Sequence, residues 1–301
     1  MVQYNTFEYP MFLNAIAITI DNNYIQHACV MLRSLDVNVQ SQVDVYCIFD
    51  DLSQQNIHRM GREFNSSRVN LHFIPFDKSV LPALPIKAND HVTSATFFRI
   101  WLPHLLPNLD QVLFMDTDIV INGDISEMLN LDVSNYPLAA VPDLGMSAEK
   151  KRGLGIADGH MYMNCGVLLL NLKYFRANNL TTQIANFITT NPALCEFWDQ
   201  DAINATIKGN FYQLDYKYNV QSGFYEKPAQ DVALRNAIQN PVVVHYTGGG
   251  SCKPWYYQNK HPERHLYYKY LKLTSFRFYY PPDLPRSWRL FRKLRFMLFY
   301  K

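Results

Sequence analysis

No stretch of this 301-residue chain approaches the ~18 consecutive apolar residues of a membrane-spanning helix, so any membrane contact is expected to be peripheral. Cysteine is sparse. Cys29, Cys47, Cys165, Cys195 and Cys252 form no C-x-x-C pair, which argues against a zinc ribbon, a thioredoxin-like centre or a disulfide scaffold and for reduced, mostly buried thiols. The glycine signatures of the dinucleotide fold and of the ATPase P-loop are missing, and no period of about 20 to 50 residues marks a repeat protein. No Lys or Arg precedes the short apolar run that ends at Asp21, so a signal peptide is not expected and the expected location is the cytoplasm. What is present, 48% apolar and 18% charged residues, supplies a sizeable core and excludes disorder.

The net charge of +2 hides an asymmetry: residues 250–301 hold twelve Lys and Arg against only Glu263 and Asp283. A mildly acidic body therefore ends in a basic tail that seeks an anionic partner. Residues 286–301 read RSWRLFRKLRFMLFYK, in which Leu290, Phe291, Leu294 and Leu298 make an apolar stripe largely opposite Arg289, Arg292 and Lys293. That is the pattern of an amphipathic helix lying in a membrane interface; a helix docked on the body is the alternative, and no nucleic-acid-reading module accompanies it. The expected organisation is one catalytic domain over residues 1–280 and a membrane-association tail over 281–301.

Along the body, apolar runs at 15–20, 43–49 and 69–75 read as strands, with helical spacing after Tyr24 and a helix from the Ser53 cap to about Phe64. Alternating strands and helices imply a parallel-type α/β sheet whose ligands lie beyond the carboxyl ends of strands, where Asp21 and Asp50 fall. Ala95 to Leu106 has helical spacing around Arg99; Gln111 to Met115 is a strand running into Asp116-Thr117-Asp118. Leu138 to Val141 is a short strand, 143–162 a mobile polar loop, and Val167 to Leu172 the most apolar strand. Val242 to Val244 delivers His245 into a glycine-rich turn.

Two carboxylates two residues apart on an extended backbone share a face and can reach one cation, although D-x-D alone also occurs in solvated turns. A third ligand is needed, and His245 is the histidine that ends an apolar strand; mixed oxygen and imidazole ligation suits manganese. The turn Gly248-Gly249-Gly250-Ser251-Cys252-Lys253 lets backbone N–H groups approach phosphate oxygens while Lys253 adds a charge. The carboxylates of Asp199-Gln200-Asp201 also suit a helix N-terminus.

With these residues in order, the chain resembles glycosyltransferase family 8, most closely the bacterial lipooligosaccharide α-galactosyltransferases. The likeness runs through Asp21-Asn22-Asn23-Tyr24, Thr96-Phe97-Phe98-Arg99, Met115-Asp116-Thr117-Asp118, Asn164-Cys165-Gly166, Trp198-Asp199-Gln200-Asp201 and His245-Tyr246-Thr247-Gly248 with Lys253-Pro254-Trp255. It implies a GT-A type fold, a single Rossmann-like α/β domain with a mixed sheet, and retaining transfer of a hexose, galactose favoured, from a UDP-sugar to a saccharide of lipooligosaccharide or lipopolysaccharide. By position, the resemblance assigns Thr19, Asp21, Asn23 and Tyr24 to uridine and Asp116, Asp118 and His245 to Mn²⁺. It assigns Gly248 and Lys253 to the phosphates, and Arg99, Asp143, Asn164, Cys165 and Asp199 to the donor sugar, with Gln200 under the anomeric carbon. In two departures, the Gly248–Lys253 loop is two residues longer than the family's and Cys165 replaces a common alanine.

Gln200 is an amide and a poor nucleophile, so front-face attack is the expected retaining route, with Asp199 and Asp201 as covalent alternatives. The expected partners are a UDP-hexose, a saccharide or glycolipid acceptor and an anionic membrane surface, with no nucleic acid; the expected site is the inner face of the cytoplasmic membrane. Alternative readings are a UDP-glucose-dependent enzyme acting on another surface glycan or glycoprotein, a metal-dependent phosphohydrolase, or a non-catalytic membrane-binding homologue.

Overall fold

The computed structural model describes residues 14–86, 93–226 and 231–285. The amphipathic segment 286–301 lies outside them. Within them, apolar runs closed by turn residues form β1 (Ala15–Thr19), β2 (Val43–Phe49), β3 (Val69–Pro75), β4 (Gln111–Met115) and β5 (Ile119–Ile121). They are followed by β6 (Leu138–Pro142), β7 (Met163–Asn171), β8 (Tyr212–Gln213), β9 (Val220–Gln221) and β10 (Val243–His245). A seven-stranded sheet runs β3-β2-β1-β4-β7-β6-β8, and a three-stranded sheet runs β5-β10-β9. The large sheet is mixed: β1 is parallel to β2 and β4, whereas β7 runs antiparallel to β4 and β6.

Both faces of the large sheet are covered at its centre, so β1, β4 and β6 are almost wholly apolar and buried rather than alternating. Ile16 and Ile18 of β1 point to one core with Leu32 and Met115, while Ala15 and Ala17 point to another with Phe97 and Phe114. A third cluster joins Val120, Val244 and Tyr246 of the small-sheet region to Trp255 and the helix Arg264–Leu271. The reversed direction of β7 matters for the site. Met115 pairs with Val167, so the amino end of β7, Asn164-Cys165-Gly166, arrives beside the carboxyl end of β4.

Several expectations need adjustment. The segment expected to be helical from Ala95 is a 3-10 helix, Ser94–Trp101, then one α-turn, Leu102–Leu105; Pro103 has no N–H to carry an α-helical ladder across the join. The polar stretch 143–162 contains a helix, Ala148–Gly153, capped by Ser147 Oγ accepting from Lys150 N at 3.1 Å. The strand expected from Val167 begins at Met163: polar Asn164 and small Gly166 interrupt the apolar pattern, and the register against β6 shifts across them between Ala140 and Pro142. Residues 281–285 pack on the body: Leu284 is buried, and Asp283 accepts from Tyr257 N (2.6 Å) and Gln258 N (3.0 Å). Among the described residues no helix is long and apolar enough to cross a membrane.

Candidate active site

Three chain ends meet at one mouth. Asp116 follows β4 and its N–H donates to Gly166 O (2.8 Å) of β7; Asp118 precedes β5 and its carbonyl accepts from Tyr246 N (3.1 Å), next to His245 at the end of β10. Ligand atoms of Asp116, Asp118 and His245 lie within 4.8 Å of one another. His245 Nε2 is 3.3 Å from Asp118 Oδ1 and 3.8 Å from Asp116 Oδ2, while its Nδ1 is 2.9 Å from Asn219 Oδ1. Asp118 Oδ1 is buried without a hydrogen-bond donor. An orphaned carboxylate oxygen facing an imidazole nitrogen and a second carboxylate fits a divalent cation, and oxygen plus imidazole is a donor set that Mn²⁺ accepts.

Lys253, 7% exposed, reaches into the same place from the glycine-rich turn and contacts the Asp118 carboxylate and Tyr246 O (2.8 Å). Burial works against the charged Asp118, but Lys253 and His245 outweigh it and hold its carboxyl well below the usual range. Asp116 is moved the other way, raised by burial and by the neighbouring Asp118 against the pull of Arg99. Gly248 opens the turn at φ +88°, left-handed backbone that suits glycine, and a side chain there would also crowd Cys252.

These groups line one cavity of about 380 Å³ together with Thr19, Asp21, Tyr24, Arg99, Asp143, Asn164, Cys165, Asp199, Gln200 and Gly248. Asn23 does not line it: the residue is exposed, and its backbone N–H donates to Asp21 Oδ1 at 2.9 Å. Beyond β1, Asp21 also accepts from Tyr24 N (3.0 Å), and this turn presents the Tyr24 ring edge-on to Trp255. Trp255 in turn stacks on His27 at 3.5 Å, and burial pushes that histidine down to about 3.

The opposite end is built on buried charge. Arg99 Nε is 2.7 Å from Asp199 Oδ2, its Nη1 is 3.4 Å from Asp116 Oδ1 and donates to Cys165 O, and its guanidinium lies over Phe114. Burial opposes the charge on Arg99, but Asp116 and Asp199 raise its pKa further. Asp199, 1% exposed, is pushed up to about 7 by burial despite Arg99. Gln200 Oε1 accepts from Cys165 N (2.9 Å), and burial raises the pKa of the Asp143 carboxyl against the N–H of Gly145 and the neighbouring Gln200 and Asn164 amides.

Two features here left no signal in the sequence. Trp198, at the start of the helix Trp198–Ile207, has φ +49°, a genuine outlier for a bulky residue. Asp201 holds this bend from behind: it accepts from Phe197 N (2.7 Å) and Tyr162 Oη (2.8 Å) and pairs with Lys150 at 3.0 Å. Fully buried and satisfied, Asp201 does not line the cavity, which removes it as a nucleophile and gives it a supporting role.

The same fold recurs in known proteins. The galactosyltransferase LgtC, solved in complex with donor and acceptor sugar analogues, matches with a TM-score of 0.78 at 22% identity, covering 91% of this chain and 99% of that one. In sequence, the chain is 29% identical over 267 residues to General stress protein A of Bacillus subtilis, 85% of this chain and 92% of the relative. It is 28% identical over 283 residues to the lipopolysaccharide 1,2-glucosyltransferase of Escherichia coli, 90% and 80% of the two chains. The description of Glycosyl transferase family 8 matches residues 15–259, from the start of β1 to beyond Lys253. That span contains the aspartate pair, His245 and the strained turn at Trp198, and on it the chain belongs to glycosyl transferase family 8, with the GT-A type α/β fold.

Proposed function

We propose that the chain is a retaining, metal-dependent hexosyltransferase that moves a hexose, galactose favoured, from a UDP-sugar to a saccharide of lipopolysaccharide or lipooligosaccharide. One observation carries the reading: the Asp116–Asp118–His245 triad and Lys253 share a single cavity with Asp199 and Gln200, so diphosphate recognition and sugar chemistry are within one donor's length. Bound by the triad, Mn²⁺ would supply Lewis acidity to the leaving diphosphate. Thr19, Asp21 and Tyr24 form the nucleoside end, and Gly248 with Lys253 the phosphate edge. Arg99, Asp143, Asn164 and Cys165 frame the hexose.

Gln200 faces the positive charge that develops on the sugar ring, with its amide oxygen held by Cys165 N–H. That bonding, and the pairing of buried Asp199 with Arg99, leaves neither side chain as a free nucleophile. Front-face attack follows, with the departing phosphate oxygen taking the acceptor proton. Gln200→Ala is expected to lower turnover by ~10² to 10³, the scale of one transition-state contact, with UDP affinity unchanged. An equal loss of UDP binding would place Gln200 on the nucleotide instead.

Calorimetric titration of UDP with and without Mn²⁺ tests the donor reading, and metal-independent binding or none would end it. Hydrolysis assays with UDP-galactose, UDP-glucose and UDP-N-acetylglucosamine then identify the sugar; UDP-glucose is the second donor to try, because the E. coli relative is named a glucosyltransferase. We further propose that residues 286–301 place the enzyme on the inner leaflet, where each basic side chain adds ~1 kcal/mol near anionic lipid. Deleting them should abolish co-sedimentation with anionic liposomes and spare transfer to a soluble acceptor. Retained sedimentation would end the membrane reading.

A further inference from the structure

A backbone N–H always donates, and this fixes a chain of side-chain polarities behind the triad. Gly166 N donates to an atom of the Asn164 amide at 3.0 Å, so that atom is Oδ1. The same Oδ1 lies 2.9 Å from the amide of Asn219, whose facing atom must then be the donor Nδ2. The other end of Asn219 is therefore Oδ1, an acceptor, and it sits 2.9 Å from His245 Nδ1. The neutral imidazole consequently carries its proton on Nδ1 and turns the Nε2 lone pair toward Asp118 Oδ1 and Asp116 Oδ2.

We infer that Asn219 is a positioning residue that fixes the tautomer and aim of His245 through a relay beginning at the Gly166 N–H. Asn219 is fully buried and does not line the cavity, so it reaches the site only through the two side chains it bonds, His245 and Asn164. Its place follows from the small sheet: it immediately precedes β9, whose Val220 and Gln221 pair in parallel with Val244 and His245 of β10. The relay also reaches the sugar end of the site, because Asn164, which bonds Asn219, lines the cavity there. The tautomer stands on these hydrogen bonds; its consequence for metal binding rests on the metal reading above.

The test is long-range ¹⁵N–¹H NMR of histidine-labelled, metal-free full-length protein at alkaline pH, with the ¹⁵N shifts separating neutral rings from imidazolium. His245 is expected as the Nδ1–H tautomer in the wild type. In Asn219→Leu, which removes the acceptor at nearly constant volume, the proton should move to Nε2, where Asp118 accepts it. Mn²⁺ affinity of that variant should fall ~10- to 100-fold, the usual effect of losing the partner that orients a ligating histidine. An Nε2–H signal in the wild type overturns the proposal even if Asn219→Leu does not fold, and so does a folded Asn219→Leu with unchanged tautomer and Mn²⁺ affinity. Wild-type protein showing Nδ1–H but no Mn²⁺ binding would remove the metal reading and leave the tautomer assignment standing.

Discussion

Asp116→Asn, Asp118→Asn and His245→Ala are each expected to lower transfer by about 10³-fold or more, since loss of Lewis-acid stabilisation amounts to several kcal/mol. The three should differ in stability. Asp118 is the carboxylate that faces the buried Lys253, and neutralising it leaves that ammonium in contact with neutral oxygens only, Tyr246 O among them. An uncompensated buried charge is costly, so Asp118→Asn should show the largest fall in thermal midpoint. Asp116 is more exposed, at 28% of its side chain against 14%, so Asp116→Asn should fold nearly as the parent and give the cleanest test. The measurements are kcat/KM with a UDP-hexose and Mn²⁺, beside thermal melts without metal. Activity within a few-fold of the parent in all three would remove the metal site from the mechanism.

The second large effect comes from a single methyl group. A Cβ at Gly166 would overlap His245 Cε1 and come within 2.7 Å of its Nδ1 and 2.9 Å of Asp116 Oδ2. The strand cannot retreat easily: Gly166 O accepts from Asp116 N and Gly166 N–H is spent on Asn164. Gly166→Ala must therefore push the imidazole and the carboxylate apart, and a ligand displaced by about 1 Å costs on the order of 10²-fold in rate. Assays of kcat/KM and Mn²⁺ affinity, with circular dichroism as the control for folding, should show both parameters fall together. Unchanged Mn²⁺ affinity in a folded Gly166→Ala protein would show that His245 is not held against β7.

This glycine also shows where sequence reasoning stops. The strand Val69–Pro75 and the helix Gln54–Phe64 were legible because an apolar run and the Ser53 cap are local signals. So were the aspartate pair and His245, which end apolar strands. By contrast Asn164, Cys165 and Gly166 read as a lead-in to a strand although they belong to it, since their identities serve the site rather than the core. The strands β5, β8 and β9 span two or three residues each, too few for a period to show. Asn219 and Lys150 gave no signal because their partners, His245 and Asp201, lie far along the chain. The resemblance assigns Asn23 to uridine by position; the turn that aims Tyr24 inward leaves the preceding side chain, Asn23, in solvent.

The triad straddles two sheets. Asp116 is tied by its backbone to β7 of the large sheet, whereas Asp118 is paired with Tyr246 and His245 belongs to β10 of the small one. A cation gripped by all three would act as a rivet between them, closing a long loop of chain and raising the resistance of the whole molecule to unfolding. Binding strength and mechanical integrity would then be one quantity. Damage to the packing between the small sheet and the helix Arg264–Leu271, remote from any sugar, would be felt first as a weaker hold on the metal.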